Sequence, residues 1–176
     1  MVKKYVLTGG PGAGKTSLLI YLEILGELTI REAAEDLIRY QHALGVAAPR
    51  LDPNFEEKVL KLQLSRERNI SPNLHRVFLD RGLLDVLGYY QALDRYPCEL
   101  MQSVIQRLQQ EKVYEKIFII EHQGVMETTS RRLENLEQAL YIEKLQAENY
   151  KQFGYEVIRV PFDSVKVRTE MILSNL

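Results

Sequence analysis

Leu7-Thr8-Gly9-Gly10-Pro11-Gly12-Ala13-Gly14-Lys15-Thr16-Ser17 decides the reading of this chain. Gly9 and Gly14, followed directly by Lys15 and Thr16, stand at the spacing of a phosphate-cradling loop. Glycine lets the backbone curl until successive N–H groups point inward at an anion. A helix that starts at the loop presents its positive end to the same anion. Lys15 brings a mobile point charge and is expected to face solvent, reaching the outer phosphates. Thr16 offers its hydroxyl to a magnesium ion. The context fits, because Tyr5-Val6-Leu7-Thr8 reads as a strand and Ser17 to Leu22 as the opening of a helix. The ligand expected at Gly9, Gly10, Pro11, Gly12, Ala13, Gly14, Lys15, Thr16 and Ser17 is a nucleoside triphosphate, ATP or another, with Mg2+.

Outward from this loop, short apolar runs alternate with longer helical patterns. Strands are expected at Tyr5 to Thr8, at Leu28-Thr29-Ile30, at Val77-Phe78-Leu79 ending in Asp80, at residues 117–120 and at residues 156–160. Helices are expected over residues 32–44, with Ala33, Leu37, Tyr40 and Leu44 on one side, and over 54–68, with Phe55, Val59, Leu62 and Arg66 sharing a face. Asn54 is placed as the cap of the second, supported by Glu57 three residues on. Residues 49–53 read as a loop. Further helices are expected over 82–93, 99–110 and 164–173, and residues 127–153 as one long helix or two in series, closed by Gly154. Short apolar strands separated by helices imply an α/β fold: about five parallel strands with helices on both faces, in three layers. Ligands of such folds sit at the carboxyl ends of the strands. That directs attention to Glu32, Asp80-Arg81, Glu121-His122 and Pro161-Phe162-Asp163, beside the glycine-rich loop.

Asp80, at the tip of a buried strand, can hold magnesium, often through water; it can equally cap the helix that follows. Arg81 can bind an anionic substrate group or a phosphate in bidentate fashion, or form a surface ion pair. Glu32 can orient or deprotonate an acceptor hydroxyl, or serve as a first-turn helix carboxylate. Arg131 and Arg132 can close over a transferring phosphoryl group, or lie on a solvated helix face with Glu134, Glu137 and Glu143 as partners. His42, His75 and His122 show no metal-ligand spacing, and Tyr89, Tyr90 and Phe55 read as core rather than as substrate stackers.

The bulk properties exclude several classes. The 176 residues suit a single domain spanning residues 1–176. A net charge of −1 gives no footprint for nucleic acid or an acidic membrane. Cys98 is the one cysteine, so no disulfide framework is expected and a reducing compartment is. No leader-like or membrane-spanning apolar run is evident, and a cytoplasmic protein is expected.

Taken together, Leu7 to Pro11 with Gly14-Lys15-Thr16, Arg31-Glu32-Ala33-Ala34, Phe78-Leu79-Asp80-Arg81-Gly82-Leu83-Leu84-Asp85, Arg132 with Glu134, Glu137 and Ala139, and Tyr150 with residues 153–158 carry a resemblance over nearly the whole chain. It resembles the small P-loop ATPase/kinase-like family that bears an AAA-domain label, related to the ribosylnicotinamide kinase domain of NAD regulators and to nucleoside and nucleotide kinases. The resemblance implies a five-stranded parallel sheet, a helical lid around residues 122–135, an acceptor pocket beside Glu32 and Arg81, and a lid arginine that is Arg131 or Arg132. A phosphotransferase acting on a small, nucleoside-like hydroxyl acceptor is the first expectation. A nucleotide-dependent switch with slow hydrolysis is the second. An ordinary GTPase is disfavoured because no Asn-Lys-x-Asp motif is present, and a ring motor because the chain is too short for its helical lid domain.

Overall fold

The computed structural model describes residues 2–122 and 136–176. Five strands form one sheet: β1 (Lys3–Thr8), β2 (Thr29–Ile30), β3 (Arg76–Asp80), β4 (Lys116–Ile120) and β5 (Val157–Val160). The order is β2-β3-β1-β4-β5, and every pairing is parallel. The strand that feeds the glycine-rich loop is therefore central. The register pairs Leu7 with Asp80 and Thr8 with Ile119, which brings three strand ends level with the loop.

Alternation along these strands builds two cores, as a sheet covered on both faces requires. Tyr5, Leu7, Phe78, Phe118, Ile120 and Val160 point to one face, where they pack with Leu18, Leu19 and Leu22 of α1 (Lys15–Ile24) and Ile172 of α7 (Val165–Ser174). Val6, Leu79, Ile117 and Ile119 point to the other. There they meet α2 (Ala33–Ala43), α3 (Phe55–Arg68), α4 (Leu83–Ala92), α5 (Glu99–Gln110) and α6 (Leu136–Gln152). The three-layer α/β architecture expected from the sequence is the one observed.

Some local expectations are corrected. The buried side of α2 runs through Ala33, Ala34, Leu37 and Ile38, while Tyr40 is 61% and Leu44 64% exposed. The two-residue β2 ends the sheet there, and in the second half of α2 only Gln41 is buried. Asn54 does not cap α3 with its side chain; the Asp52 carboxylate accepts the Asn54 N–H at 2.9 Å, and Glu57 pairs with Lys61 instead. Residues 49–53 contain a 3-10 turn, Pro49–Leu51. Helix 127–153 can be followed only as α6. Its first part, and with it most of the expected lid and both Arg131 and Arg132, lies outside the described residues. Among the described residues no helix is long and apolar enough to cross a membrane.

Candidate active site

The glycine-rich loop joins β1 to α1, as its motif requires. Gly9 (φ 131°) and Gly14 (φ 88°) take backbone conformations that side chains rarely adopt. A Cβ on Gly9 would also strike the Ile120 carbonyl. Gly10 lies against the backbone of Ala139 in α6. Pro11, Gly12 and Ala13 complete the curl, and Ala13 N–H donates to the Gly10 carbonyl at 3.3 Å. Thr16 and Ser17 sit exposed on the first turn of α1.

Lys15 departs from expectation. It is 5% exposed and folded back, its Nζ donating to the carbonyls of Gly9 at 3.0 Å and Gly10 at 2.9 Å. Burial, and then the positive charge of Arg81, push it down to about 8. Asp80 is buried at the end of β3, and its Oδ1 has no hydrogen-bond partner among the described residues. Burial first, and the Glu32 carboxylate second, push its carboxyl up to about 7. It does not cap α4, because Gly82 holds that position.

Arg81 is not a surface residue. It is buried, with the left-handed φ of 70°, uncommon for a non-glycine residue. Several partners enforce that conformation. Its N–H donates to the Leu7 carbonyl at 3.0 Å, and its carbonyl accepts from Gln63 at 3.2 Å. Its guanidinium meets Glu32 at 2.9 Å, Asp85 at 3.3 Å and the Gly9 carbonyl at 3.1 Å, and lies over the Tyr89 ring. Burial works against its charge, but Tyr89, Glu32, Asp85 and Asp80 outweigh that and hold its pKa well above the usual value. Burial would raise the Glu32 carboxyl; Arg81, then Lys15 and Arg50, bring it below the ordinary range. Glu32 stands at the N-cap of α2 without capping it by its side chain. The sequence-derived residues Lys15, Glu32, Asp80 and Arg81 thus gather at one sheet end, where Lys15 and Arg81 share the carbonyl of Gly9.

Residues to which the sequence reading gives no role complete the arrangement. Asp85 accepts from Arg81, from Thr8, from Tyr150 at 2.7 Å and from the Gly82 N–H at 2.8 Å. Its spacing of four from Arg81 on a helix start was the available signal. From α7, Arg168 donates to the Ala13 carbonyl and to the Glu121 carbonyl, both at 3.1 Å; nothing in the local sequence announces that reach across 155 positions. Beside Glu32 and Arg81 opens a cavity of about 320 Å³, bounded in part by Phe55, Val59, Val86, Tyr89 and Ile142. Phe55 and Tyr89, expected to be core alone, therefore also line a pocket. Among the described residues no group of three or more His, Cys, Asp or Glu side chains could hold a metal ion by itself. The unpartnered Asp80 Oδ1 and the exposed Thr16 do fit a magnesium ion whose remaining ligands are phosphate oxygens and water.

A family model described as an AAA domain matches residues 4–168. No curated protein matches the chain in sequence. Similar solved structures include deoxyadenosine kinase from M. mycoides with bound dATP, at TM-score 0.68 and 17% identity over 98% of both chains. Thymidylate kinase from Ehrlichia chaffeensis aligns at TM-score 0.66 and 16% identity, over 99% of this chain and 98% of that one. A NadR protein in complex with NR aligns at TM-score 0.69 and 18% identity, over 98% of this chain and 49% of that one. The fold is that of these P-loop kinases.

Proposed function

The chain belongs to this AAA-domain family, and on that premise we propose that it is a magnesium-dependent phosphotransferase, moving the terminal phosphoryl of ATP to a hydroxyl of a small, nucleoside-like acceptor. The observation that carries the reading is the sharing of the Gly9 carbonyl: Lys15 of the phosphate loop and Arg81 of the cavity both donate to it. Phosphate loop and acceptor cavity therefore meet at one atom, where a donor phosphate and an acceptor hydroxyl would be held together.

In this reading the backbone of Gly9 to Gly14 and the N-terminus of α1 cradle the phosphates. Lys15 leaves its two carbonyls for the outer phosphate oxygens. Thr16 and Asp80 would hold magnesium, which would supply neutralisation of phosphate charge. The acceptor oxygen forms the new bond to phosphorus, the bond to the ADP oxygen breaks, and Glu32 takes the acceptor proton. Arg81 steadies charge on the transferring group, together with Arg131 or Arg132. Glu32 is held ionised by Arg81, so it is in the form that can accept.

The test is a screen of hydroxylated metabolites for magnesium-dependent ATP consumption, run beside ATP turnover in water alone. Glu32→Gln should lower acceptor-dependent turnover by about 10²- to 10⁴-fold, the worth of a positioned acid–base group, with ATP affinity nearly unchanged. Full turnover by the Gln variant would remove Glu32 from the chemistry. Turnover in water that no acceptor increases would favour a slow nucleotide switch.

A further inference from the structure

Arg66 has no part in the chemistry proposed above, yet helical spacing sets it on one face of α3 with Phe55, Val59 and Leu62. Its guanidinium donates to the Arg31 carbonyl at 2.7 Å and to the Asp36 carboxylate at 2.7 Å, across 35 and 30 positions of the chain. That carbonyl belongs to the peptide group joining Arg31 to Glu32, past the end of β2 and before the first residue of α2. On the other side of Glu32, its own carbonyl accepts the Asp36 N–H at 3.4 Å. The Glu32 main chain is therefore enclosed in a ring of bonds, from Arg66 through Arg31, Glu32 and Asp36 back to Arg66. The Arg31 side chain adds a bond to the same Asp36 carboxylate at 3.1 Å.

The same helix holds the residue that Glu32 pairs with. Gln63, three residues before Arg66, is buried and donates to the Arg81 carbonyl at 3.2 Å and to Glu67 at 3.1 Å. So α3 bonds the main chain of Arg81 and the peptide group before Glu32, and the side chains of Glu32 and Arg81 meet at 2.9 Å. β2 alone gives Glu32 a short anchor, since it pairs with β3 only through Thr29 and Ile30. An exposed ion pair between two side chains contributes little. Arg66 does something else: one planar fork, its N–H groups at fixed separation, ties a main-chain carbonyl to a carboxylate.

We propose that Arg66 is a positioning residue for phosphoryl transfer: by holding the Arg31–Glu32 peptide group and Asp36 on one guanidinium, it keeps the Glu32 carboxylate against Arg81, where Glu32 takes the acceptor proton. This rests on the role given to Glu32 above. Arg66 itself stands outside the cavity lining and acts through Glu32.

Magnesium-dependent ATP turnover in water, with a water molecule in the acceptor's place, is a probe that needs no identified acceptor. Arg66→Met keeps the stem and removes the guanidinium. It should lower kcat by about 10- to 100-fold, the cost of a small misplacement of a reacting group, and leave the KM for ATP unchanged. Glu32→Gln should lower kcat as well. In the double variant Arg66→Met should cost nothing more, because a residue that acts only through Glu32 then has nothing left to position. The Glu32 carboxyl, followed by carbon NMR in the nucleotide-free protein and assigned through Glu32→Gln, gives a readout that needs no turnover. In the parent, burial raises this carboxyl and Arg81, then Lys15, more than offset that; in the Met variant it should titrate higher. Arg66→Lys keeps the charge and loses the fork, so it should show the same two changes in smaller measure, and it is the second variant should Arg66→Met unfold. Additive losses in the double variant, an unchanged Glu32 titration in the Met variant, or a Lys variant that matches the parent in both readouts each overturn the inference and leave the kinase reading intact. If Glu32→Gln leaves turnover unaltered, Glu32 has no part in the chemistry and the inference falls with that reading.

Discussion

The two halves of the site are built on opposite principles. The loop half, proposed to hold phosphate, is made of backbone and holds polar groups in discomfort: Lys15 folded onto two carbonyls, Asp80 with an oxygen that has no partner among the described residues. The cavity half, proposed to hold the acceptor, is made of side chains and satisfies itself. Arg81, Glu32, Asp85, Thr8, Tyr150 and the Gly82 N–H form one buried set of ion pairs and hydrogen bonds. A buried polar group without a partner costs free energy, and a connected network largely avoids that cost. The difference teaches where ligand energy would go. A nucleotide would relieve the first half, whereas the second is already in place and would order the acceptor.

The largest expected effect comes from breaking the self-satisfied half. Asp85→Ala removes an acceptor shared by four donors and leaves Arg81 buried with Glu32 as its remaining close carboxylate. Breaking a buried charge pair from one side costs about 3–5 kcal/mol. Urea unfolding of the nucleotide-free protein should show that loss. A loss below about 1 kcal/mol, the range of an exposed ion pair, would mean that the network is decorative and the contrast between the halves is false.

Lys15→Ala probes the uncomfortable half and should separate binding from stability. ATP affinity should fall by about 10- to 100-fold, the worth of one hydrogen bond to a charged group. Stability without nucleotide should not fall, because Arg81 still donates to the Gly9 carbonyl and Ala13 N–H to that of Gly10. Calorimetry gives the first number and urea unfolding the second. A large loss of stability would make Lys15 a structural member of the loop.

The same contrast explains how much the sequence disclosed. The phosphate half is local: eight consecutive residues carry it, and their spacing is the site. Glu32, Asp80 and Arg81 were also within reach, since each follows a strand and the sheet order gathers strand ends. The five parallel strands and both helical layers followed from the alternation of apolar runs. What remained hidden depends on distant chain segments meeting. Asp85 matters because Thr8 and Tyr150 converge on it from 77 and 65 positions away. Arg168 matters because α7 lies beside α1 and the loop. The burial of Lys15 is hidden for a related reason: a motif states what a side chain can bind, not which backbone carbonyls lie within its reach. The outward turn of Tyr40 and Leu44 was hidden because periodicity shows which residues share a face, not where the sheet that face would cover comes to an end.

The smallest effect is the sharpest test of discomfort, and it concerns Asp80. Its folded carboxyl is raised to about 7 from an ordinary 3.8. A raised carboxyl means that the folded state binds the proton more tightly than the unfolded chain does. Its contribution to stability is therefore complete below the ordinary value and is lost as pH rises through about 7. A shift of that size sets a ceiling of about 4 kcal/mol, and relaxation around the charge should leave about 1–2 kcal/mol of it. Asp80→Asn cannot ionise. The nucleotide-free variant should draw ahead of the parent as pH rises from about 4 and exceed it by that amount at pH 8, while the magnesium dependence of its ATP turnover is weakened. Lys15, pushed down to about 8, titrates in both proteins, so the difference between the two stability curves isolates Asp80 except for the change in their mutual attraction. The parent would then carry, at the tip of β3, a charge that the empty fold is better off without. An Asn variant less stable than the parent at pH 8 would show that Asp80 is at ease in the empty site, and the contrast between the two halves would rest on Lys15 alone.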